Sequence, residues 1–400
     1  MRDMKDSGVA WIGEIPFDWK LIRFKDKYIN IKEVAKERSG EFERLALTLN
    51  GVVKRPKDDS EGLQPKEFDG YQILRENDFI FKMIDLQNIS TSRVGLSPYT
   101  GLVSPAYIRF SSRERKQYNQ FVYYYLMSLY YNCVYNNLGG NGVRSALNGK
   151  DMGEFLIPYP SEAEQRKICA YLDKKNAQVD TLIKNVHAQI EKLKAYKQSL
   201  ITEVVTKGLD PTVPMKDSGV RWIGELPEKW HVIQAKYCAT VNHGTDPKTD
   251  GDIPVYGSGA NSFKTCGEYK EGPAVLVGRK GATLHIPHYI EGKYWNVDTA
   301  FDVVTNELCN IKYYYYMATS FDYRFYMSQT TLPGMTQSAY RNMYLPLPPI
   351  SEQEQIVNHL DIRCSKLEHL IAIKQSKIEK LEQYKRSLIY EYVTGKKEVS

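Results

Sequence analysis

The sequence predicts an α+β protein built as a pseudo-twofold internal repeat. Two mixed α/β domains alternate with two long helices that pair as an antiparallel coiled coil. Three observations lead there. An opening line is written twice, "MKDSGVAWIGEIP" from Met4 and "MKDSGVRWIGELP" from Met215, each followed by a tryptophan, Trp19 and Trp230. A long heptad-patterned stretch also occurs twice, from Glu164 and from Glu352. The starts are offset by 211 positions and the ends by 188, so the second middle is 23 residues shorter. The middles themselves do not match: "ERLALTLNGVVKRPKDDS" has no convincing counterpart in "HGTDPKTDGDIPVYGSGANSF". A repeated frame with divergent inserts is the pattern of one scaffold carrying two different readers.

The elements follow in order. Residues 1–160 and 215–349 hold short β-branched and aromatic runs bounded by Gly, Pro, Asn and Asp, which read as strands. Each ends in a tyrosine-rich run, "NQFVYYYLMSLYYNCVYNNL" and "NIKYYYYMATSFDYRFYMSQ", expected as a helix whose rings fill the core. Prolines 158 and 160, then Ser161 with Glu164 three residues on, punctuate the first long helix as a capping box. Pro346, Pro348 and Pro349, then Ser351 with Glu354, do the same for the second. The helices are expected over 161–208 and 350–395, with a linker at 209–214 and a tail at 396–400.

Helical periodicity places Leu172, Val179, Val186, Leu193 and Leu200 in one seam column, and Ile168, Leu182 and Tyr196 in a second, more polar one. The second helix repeats this with Leu360, Leu367, Leu381 and Leu388, broken by Lys374, and with Ile356, Leu370 and Tyr384. Ile183, Ile190, Val204, Ile371 and Ile378 widen the stripes. Each helix is about 60 Å long at roughly 1.5 Å per residue. A helix of that length with one apolar stripe needs a partner; the matched stripes point to the other helix, with packing on its own domain or pairing between two chains as the alternatives.

Composition narrows the function. The chain of 400 residues carries a net charge of +6, which permits a polyanion without demanding one. Its six cysteines form no CxxC pair, against a zinc module or disulfide framework. No apolar run of about 18 residues and no secretion signal is visible, so a cytoplasmic protein is expected. Basic residues cluster in loops of both domains: Lys54, Arg55, Lys57, Lys82, Arg93 and Arg144 in the first, Lys248, Lys264, Arg279, Lys280 and Lys293 in the second. Lysine and arginine can neutralise phosphates, and arginine can read guanine with two parallel hydrogen bonds. Arg279 and Lys280 stand out, because Gly278 and Gly281 allow close backbone approach.

Catalytic motifs are missing. "GSGANSFKT" only approximates a phosphate-binding loop, with Ser262 and Phe263 where Gly and Lys are needed. "HIPH" offers His285 and His288, but strand spacing around Pro287 does not set both on one face for a metal. No nucleophile elbow or adenosylmethionine loop is found. The chain reads as a binding subunit.

These residues carry a resemblance. "SGVAWIGEIPFDW" and "SGVRWIGELPEKW", the proline-rich approaches "PSEAEQ" and "PPISEQ" to the long helices, and the half-repeat organisation resemble the specificity subunit of type I restriction-modification systems. "LQNISTSRVGLSPYTGLVSPAYIRF" and "VGRKGATLHIPHYIEGKYWNVDTAF" are similar to that family's recognition domains. The resemblance implies two target recognition domains, each reading one half of a bipartite double-stranded DNA target. The helices would be the spacer, placing contacts about one to two turns apart at roughly 34 Å per turn. They would also dock two adenine-specific methyltransferase subunits, which restriction subunits then join. Adenosylmethionine, ATP and Mg would be bound by those partners and none by this chain. The competing expectation is a coiled-coil scaffold whose variable domains bind proteins; a self-contained enzyme is the third, disfavoured by the missing motifs.

Overall fold

The computed structural model describes residues 2–48, 51–59, 67–84, 93–114, 116–138, 146–259, 261–281, 283–327 and 334–399. The chain divides into two compact units, Met1–Asn185 with Lys377–Ser400, and Val186–Ser376. Each unit holds one mixed domain and a segment of both long helices.

The opening line folds the same way twice. Met4–Asp6 pairs antiparallel with Glu14–Pro16, and Met215–Asp217 with Glu225–Pro227, in one register (Met4 opposite Pro16, Met215 opposite Pro227). Gly8 and Gly13 in the first loop have φ of 67° and 68°; Gly219 and Gly224 in the second both have 67°. Glycine takes these angles at no steric cost, and both copies place their two glycines five residues apart. Asp6 accepts from the Gly8 amide at 3.0 Å and Asp217 from the Gly219 amide at 3.0 Å.

The two middles have the same topology despite their unlike sequences. The first domain has an antiparallel sheet in the order Tyr28–Asn30, Ile108–Ser112, Phe79–Phe81, Val94–Leu96. The second has Ala239–His243, Ala300–Thr305, Ala274–Gly278, His288–Ile290 in the corresponding order. A second, mixed sheet runs Gly51–Arg55, Arg44–Thr48, Gly101–Val103, Gln72–Leu74 in one domain. Its counterpart is Lys264–Cys266, Ile253–Tyr256, Lys293–Asn296, Lys270–Glu271. Each mixed sheet contains one parallel join, Leu102 beside Arg44 and Val255 beside Trp295. The stretches without a sequence counterpart are therefore equivalent strands. A half-buried strand asks only for alternation and β-branched or aromatic residues, which many sequences supply.

What differs is where chain is inserted. In sequence, two residues separate strand Arg44–Thr48 from Gly51–Arg55, whereas seven separate Ile253–Tyr256 from Lys264–Cys266. The next connection has sixteen residues between Arg55 and Gln72 but three between Cys266 and Lys270.

Both tyrosine runs form core-facing helices, Gln120–Tyr131 and Ile311–Ala318. Phe121, Tyr124, Tyr125, Tyr313, Tyr314 and Tyr316 are buried. Tyr125 donates its hydroxyl to the Leu156 carbonyl at 3.0 Å and Tyr313 to that of Pro346 at 3.1 Å, whereas the buried Tyr314 hydroxyl has no hydrogen-bond partner among the described residues. Tyr124 donates to Asp173, and Tyr316 to Asp361 at 2.6 Å, clasping each tyrosine helix to the long helix that follows it.

The long helices run Glu162–Lys207 and Ile350–Val393. In the first unit they pair antiparallel: the Tyr171 and Tyr392 rings lie 4.7 Å apart, and Lys385 donates to Asp180 at 2.6 Å. In the second unit Lys374 donates to Gln189 at 2.6 Å, Arg363 to the Tyr196 hydroxyl at 3.1 Å, and Lys197 pairs with Glu368. The polar break at Lys374 is thus matched across the seam.

The shared seam column stands: Leu172, Val179, Val186, Leu360, Leu367 and Leu388 are buried, and Leu193, Leu200 and Leu381 half-buried. The second column needs correcting. Leu182 is 47 % exposed and Leu370 45 %, with Tyr196 and Tyr384 exposed as well. The seam runs one residue later, through Cys169, Asn176, Ile183, Ile190, Lys197 and Val204, and through Val357, Cys364, Ile371, Ile378, Lys385 and Tyr392. Both choices satisfy the alternating three- and four-residue spacing around the first column. The later one collects the β-branched residues, whereas the earlier one carries Lys175, Gln189 and Glu203.

The helix starts also differ from expectation in part. Ser161 caps the first, accepting from the Glu164 amide at 3.3 Å. The second begins at Ile350, so Ser351 lies inside it and the Glu352 amide donates to the Pro349 carbonyl at 2.9 Å. The residue equivalent to Glu164 is Glu352, not Glu354. Their roles agree: Trp19 donates its indole N–H to Glu164 at 3.1 Å, and Trp230 to Glu352 at 3.0 Å. The Trp–Ile–Gly core is framework too, with Ile12 and Ile223 buried and Trp11 and Trp222 against Phe155 and Phe321. Past the helix ends, Gly208 (φ 77°) faces Trp230, and Gly395 (φ 72°) faces Trp19.

Candidate nucleic-acid interface

The matched sheets give the basic residues a common frame. Lys54 lies on the outer strand of the first mixed sheet and Lys264 on the outer strand of the second. Lys82 directly follows strand Phe79–Phe81, and Arg279 follows the equivalent strand Ala274–Gly278. Residues picked only for charge therefore occupy corresponding places.

Several of these cations lie over exposed rings. Lys54 Nζ is 5.1 Å from the Tyr99 ring, Lys264 5.6 Å from Phe263, and Lys293 4.1 Å from Tyr269. Lys57 sits 5.8 Å over Phe68 and donates to the Ser39 carbonyl at 2.8 Å. A cation held by an aromatic face keeps its charge available to solvent or phosphate. The rings themselves carried no sequence signal, because an isolated Phe or Tyr in a loop reads as core as readily as surface.

The two domains differ in how their cations are committed. Lys54 pairs with Glu43 at 2.5 Å, which raises its pKa, and Arg55 with Asp59 at 3.4 Å. Arg279 is anchored by the Asp298 carbonyl at 3.2 Å and its carboxylate at 3.6 Å. Among the described residues, no carboxylate lies within ion-pair distance of the side chains of Lys264, Lys280 or Lys293, all exposed. Lys248 is exposed beside Glu268, which accepts from the Lys248 amide at 2.7 Å. Hydrogen bonds led by the one from Thr249 bring Glu268 down to about 2, so it stays anionic there. A free lysine can neutralise phosphate directly, whereas a paired one must first release its carboxylate.

Two expectations change. Arg93 is 1 % exposed, so its guanidinium serves the interior of the first domain and presents nothing to a ligand. Burial is the physical reason it does not belong to the surface set. Lys82 is half-buried, its amide donating to the Arg93 carbonyl at 2.9 Å. Arg144 lies outside the described residues. Of the histidine pair, His285 is exposed, while burial holds half-buried His288 below its ordinary pKa. Among the described residues no three metal-ligating side chains converge.

In the second domain glycines lay the loops together. A Cβ on Gly278 would come within 2.2 Å of Leu284, and one on Gly257 within 2.9 Å of the Thr299 hydroxyl. Thr283 donates to the Ser258 carbonyl at 2.9 Å, tying the hairpin turn to the Arg279–Lys280 loop. The Arg279 amide donates to Thr299 at 2.8 Å, and its carbonyl accepts from Met335 at 2.9 Å.

Fold and surface define a class: a duplicated protein, one domain architecture used twice, with different cationic and aromatic side chains on a repeated helical frame. Comparison with known proteins gives the family. The type I restriction modification DNA specificity domain matches residues 26–192 and again 217–383. The chain belongs to this family and is a specificity subunit, not an enzyme. It is 23 % identical to the type I restriction enzyme MjaVIII specificity subunit of Methanocaldococcus jannaschii, over 96 % of this chain and 93 % of that one. A chain solved in work on complex assembly and conformational transition of the type I R-M system shares its fold, with a TM-score of 0.68 at 14 % identity, covering 95 % of this chain and 98 % of that one. The HsdS subunit of Thermoanaerobacter tengcongensis aligns over 95 % of this chain and 98 % of its own at 14 % identity, with a TM-score of 0.46. No helix among the described residues is long and apolar enough to cross a membrane.

Proposed function

We propose that each mixed domain reads one half of a bipartite DNA target, while the paired helices fix the spacing and dock two methyltransferase subunits. One observation carries this reading: two domains of the same strand order present different residues at equivalent places. A scaffold binding two copies of one ligand has no use for that divergence; one reading two unlike half-sites requires it. Docking of identical subunits draws support from the exposed apolar residues left outside the seam. Leu182 recurs as Leu370, and Tyr196 as Tyr384, each at the 188-residue offset. Equivalent patches suit two copies of one partner. Restriction subunits would join this complex in the cytoplasm, where adenosylmethionine, ATP and Mg would be held by the partners.

The test is single-molecule mapping of adenine methylation in the host genome, with and without this gene. A split motif that disappears on deletion supports the reading. An unchanged methylome, with the purified chain and its methyltransferase showing no salt-dependent binding to DNA, favours protein-binding domains instead.

A further inference from the structure

The second domain holds a feature that phosphate neutralisation does not use. Phe263 closes the seven-residue hairpin turn with 60 % of its surface exposed. It does not sit on a loose tip. Its amide donates to the Val255 carbonyl at 3.2 Å, and it directly precedes the strand Lys264–Cys266, where Lys264 pairs with Val255. The Ser258 carbonyl is held by Thr283, and the φ of 110° at Gly281 brings that backbone beside the Ser258 hydroxyl. The ring is thus mounted on braced backbone, with Lys264 over its face and the uncommitted Lys280 on the adjoining loop. Asn261, Ser262, Lys264 and Thr265 around it are all exposed.

A lone exposed phenylalanine is ordinary on a protein surface. An exposed ring beside the Lys264 ammonium, with Lys280 on a loop tied to the same turn, has a more specific chemistry. The cations suit a polyanion, and the ring suits the π-face of a base or the gap at a base step. We propose that Phe263 is a stacking contact to the DNA half-site read by the second domain, inserting against a base step while Lys264 and Lys280 hold the flanking phosphates. In the first domain two residues separate the equivalent strands in sequence, so it presents no comparable seven-residue turn there. The contact is specific to one half-site. This inference rests on the DNA-reading function proposed above and adds the residue and its mode of contact.

The test uses the full chain with its methyltransferase partner and duplexes of the mapped target carrying 2-aminopurine at successive positions. The wild-type protein raises fluorescence at one step of the second half-site only. Phe263→Ala abolishes that rise and weakens target binding about tenfold, within the range for loss of one base–aromatic stack. The slope of log affinity against log salt stays unchanged, and Phe263→Trp restores the rise. Lys280→Ala lowers the slope by roughly one instead. Equal thermal melting of the variants shows that folding is intact. If wild type binds DNA but Phe263→Ala binds with the same affinity and the same fluorescence rise, the stacking contact is wrong and DNA reading survives. If Phe263→Ala keeps its DNA affinity but loses the methyltransferase, the ring serves a protein contact and the inference falls. If the wild-type complex binds no DNA, both readings fall together.

Discussion

At the scale of single residues, the frame depends on a few side chains repeated in both halves. The clearest is the tryptophan–glutamate clasp. Trp230 is 1 % exposed, and its N–H donates to Glu352; Trp19 is equally buried and donates to Glu164. Glu164 also pairs with Arg2 at 2.5 Å, whereas no cation among the described residues lies within ion-pair distance of Glu352. Glu352→Ala therefore tests the clasp cleanly, because it strands a buried indole N–H. It should destabilise the protein by about 1–3 kcal/mol, the cost of an unsatisfied buried donor, read from the midpoint of urea unfolding. Glu352→Gln keeps an acceptor and should lose less than half as much. Equal losses in the two variants would mean that charge at the helix start, not the hydrogen bond, is what the glutamate supplies. The tryptophans were visible in the sequence as repeats. Their partners were not, because a glutamate near a helix start reads first as a cap.

At the scale of elements, the long helices show how far periodicity reaches. The shared column, antiparallel pairing and approximate ends are legible because a 46-residue helix without proline or glycine has few other folds open to it. The second column is a finer matter. Leu182 looks like a seam residue by hydrophobicity, yet Ile183 beside it faces inward and Leu182 points out. The distinction is measurable. Ile190→Gln and Ile378→Gln place an amide in positions 4 % and 3 % exposed and should each cost about 2–4 kcal/mol. Leu182→Gln and Leu370→Gln should change stability by less than about 0.5 kcal/mol. Reversal of that order, measured by chemical denaturation, would restore the earlier column. The strands of the mixed sheets were harder to match than the helices. A short strand is specified by its neighbours more than by its own residues, so Arg44–Thr48 and Ile253–Tyr256 share a place without sharing a sequence. Candidate contact side chains are the least legible, since ring exposure, as at Phe263, and carboxylate pairing, as at Lys54, depend on tertiary contacts.

At the scale of the whole molecule, the repeated parts and the divergent parts fall into separate physical classes. Repeated are the opening hairpins, the tryptophan–glutamate clasps, the tyrosine–aspartate clasps and the helix seam. Divergent are the connections: a long one after Arg55 in the first domain, a long hairpin turn before Lys264 in the second. Each domain is thus an insert whose tyrosine helix shares a core with the long helices, Phe121 and Leu126 with Leu172 and Leu388 in the first unit, Tyr313 and Met317 with Val205 and Leu360 in the second. Exchange of the residues between Trp19 and Pro158 for those of another specificity subunit should therefore change one half-site and leave the other half-site and the spacing untouched. Trp19 and Glu164 stay in place, and the contacts that cross the splice include Phe121 to Trp19, Phe155 to Trp11 and Tyr124 to Asp173. A donor domain with a tyrosine at that position should fold on this frame. A donor lacking it leaves Asp173 without that partner and should lower the unfolding midpoint before it affects specificity. Single-molecule methylation mapping reads the outcome directly. A change in both half-sites, or in the number of base pairs between them, would show that the domains are coupled through the helices and not merely carried by them.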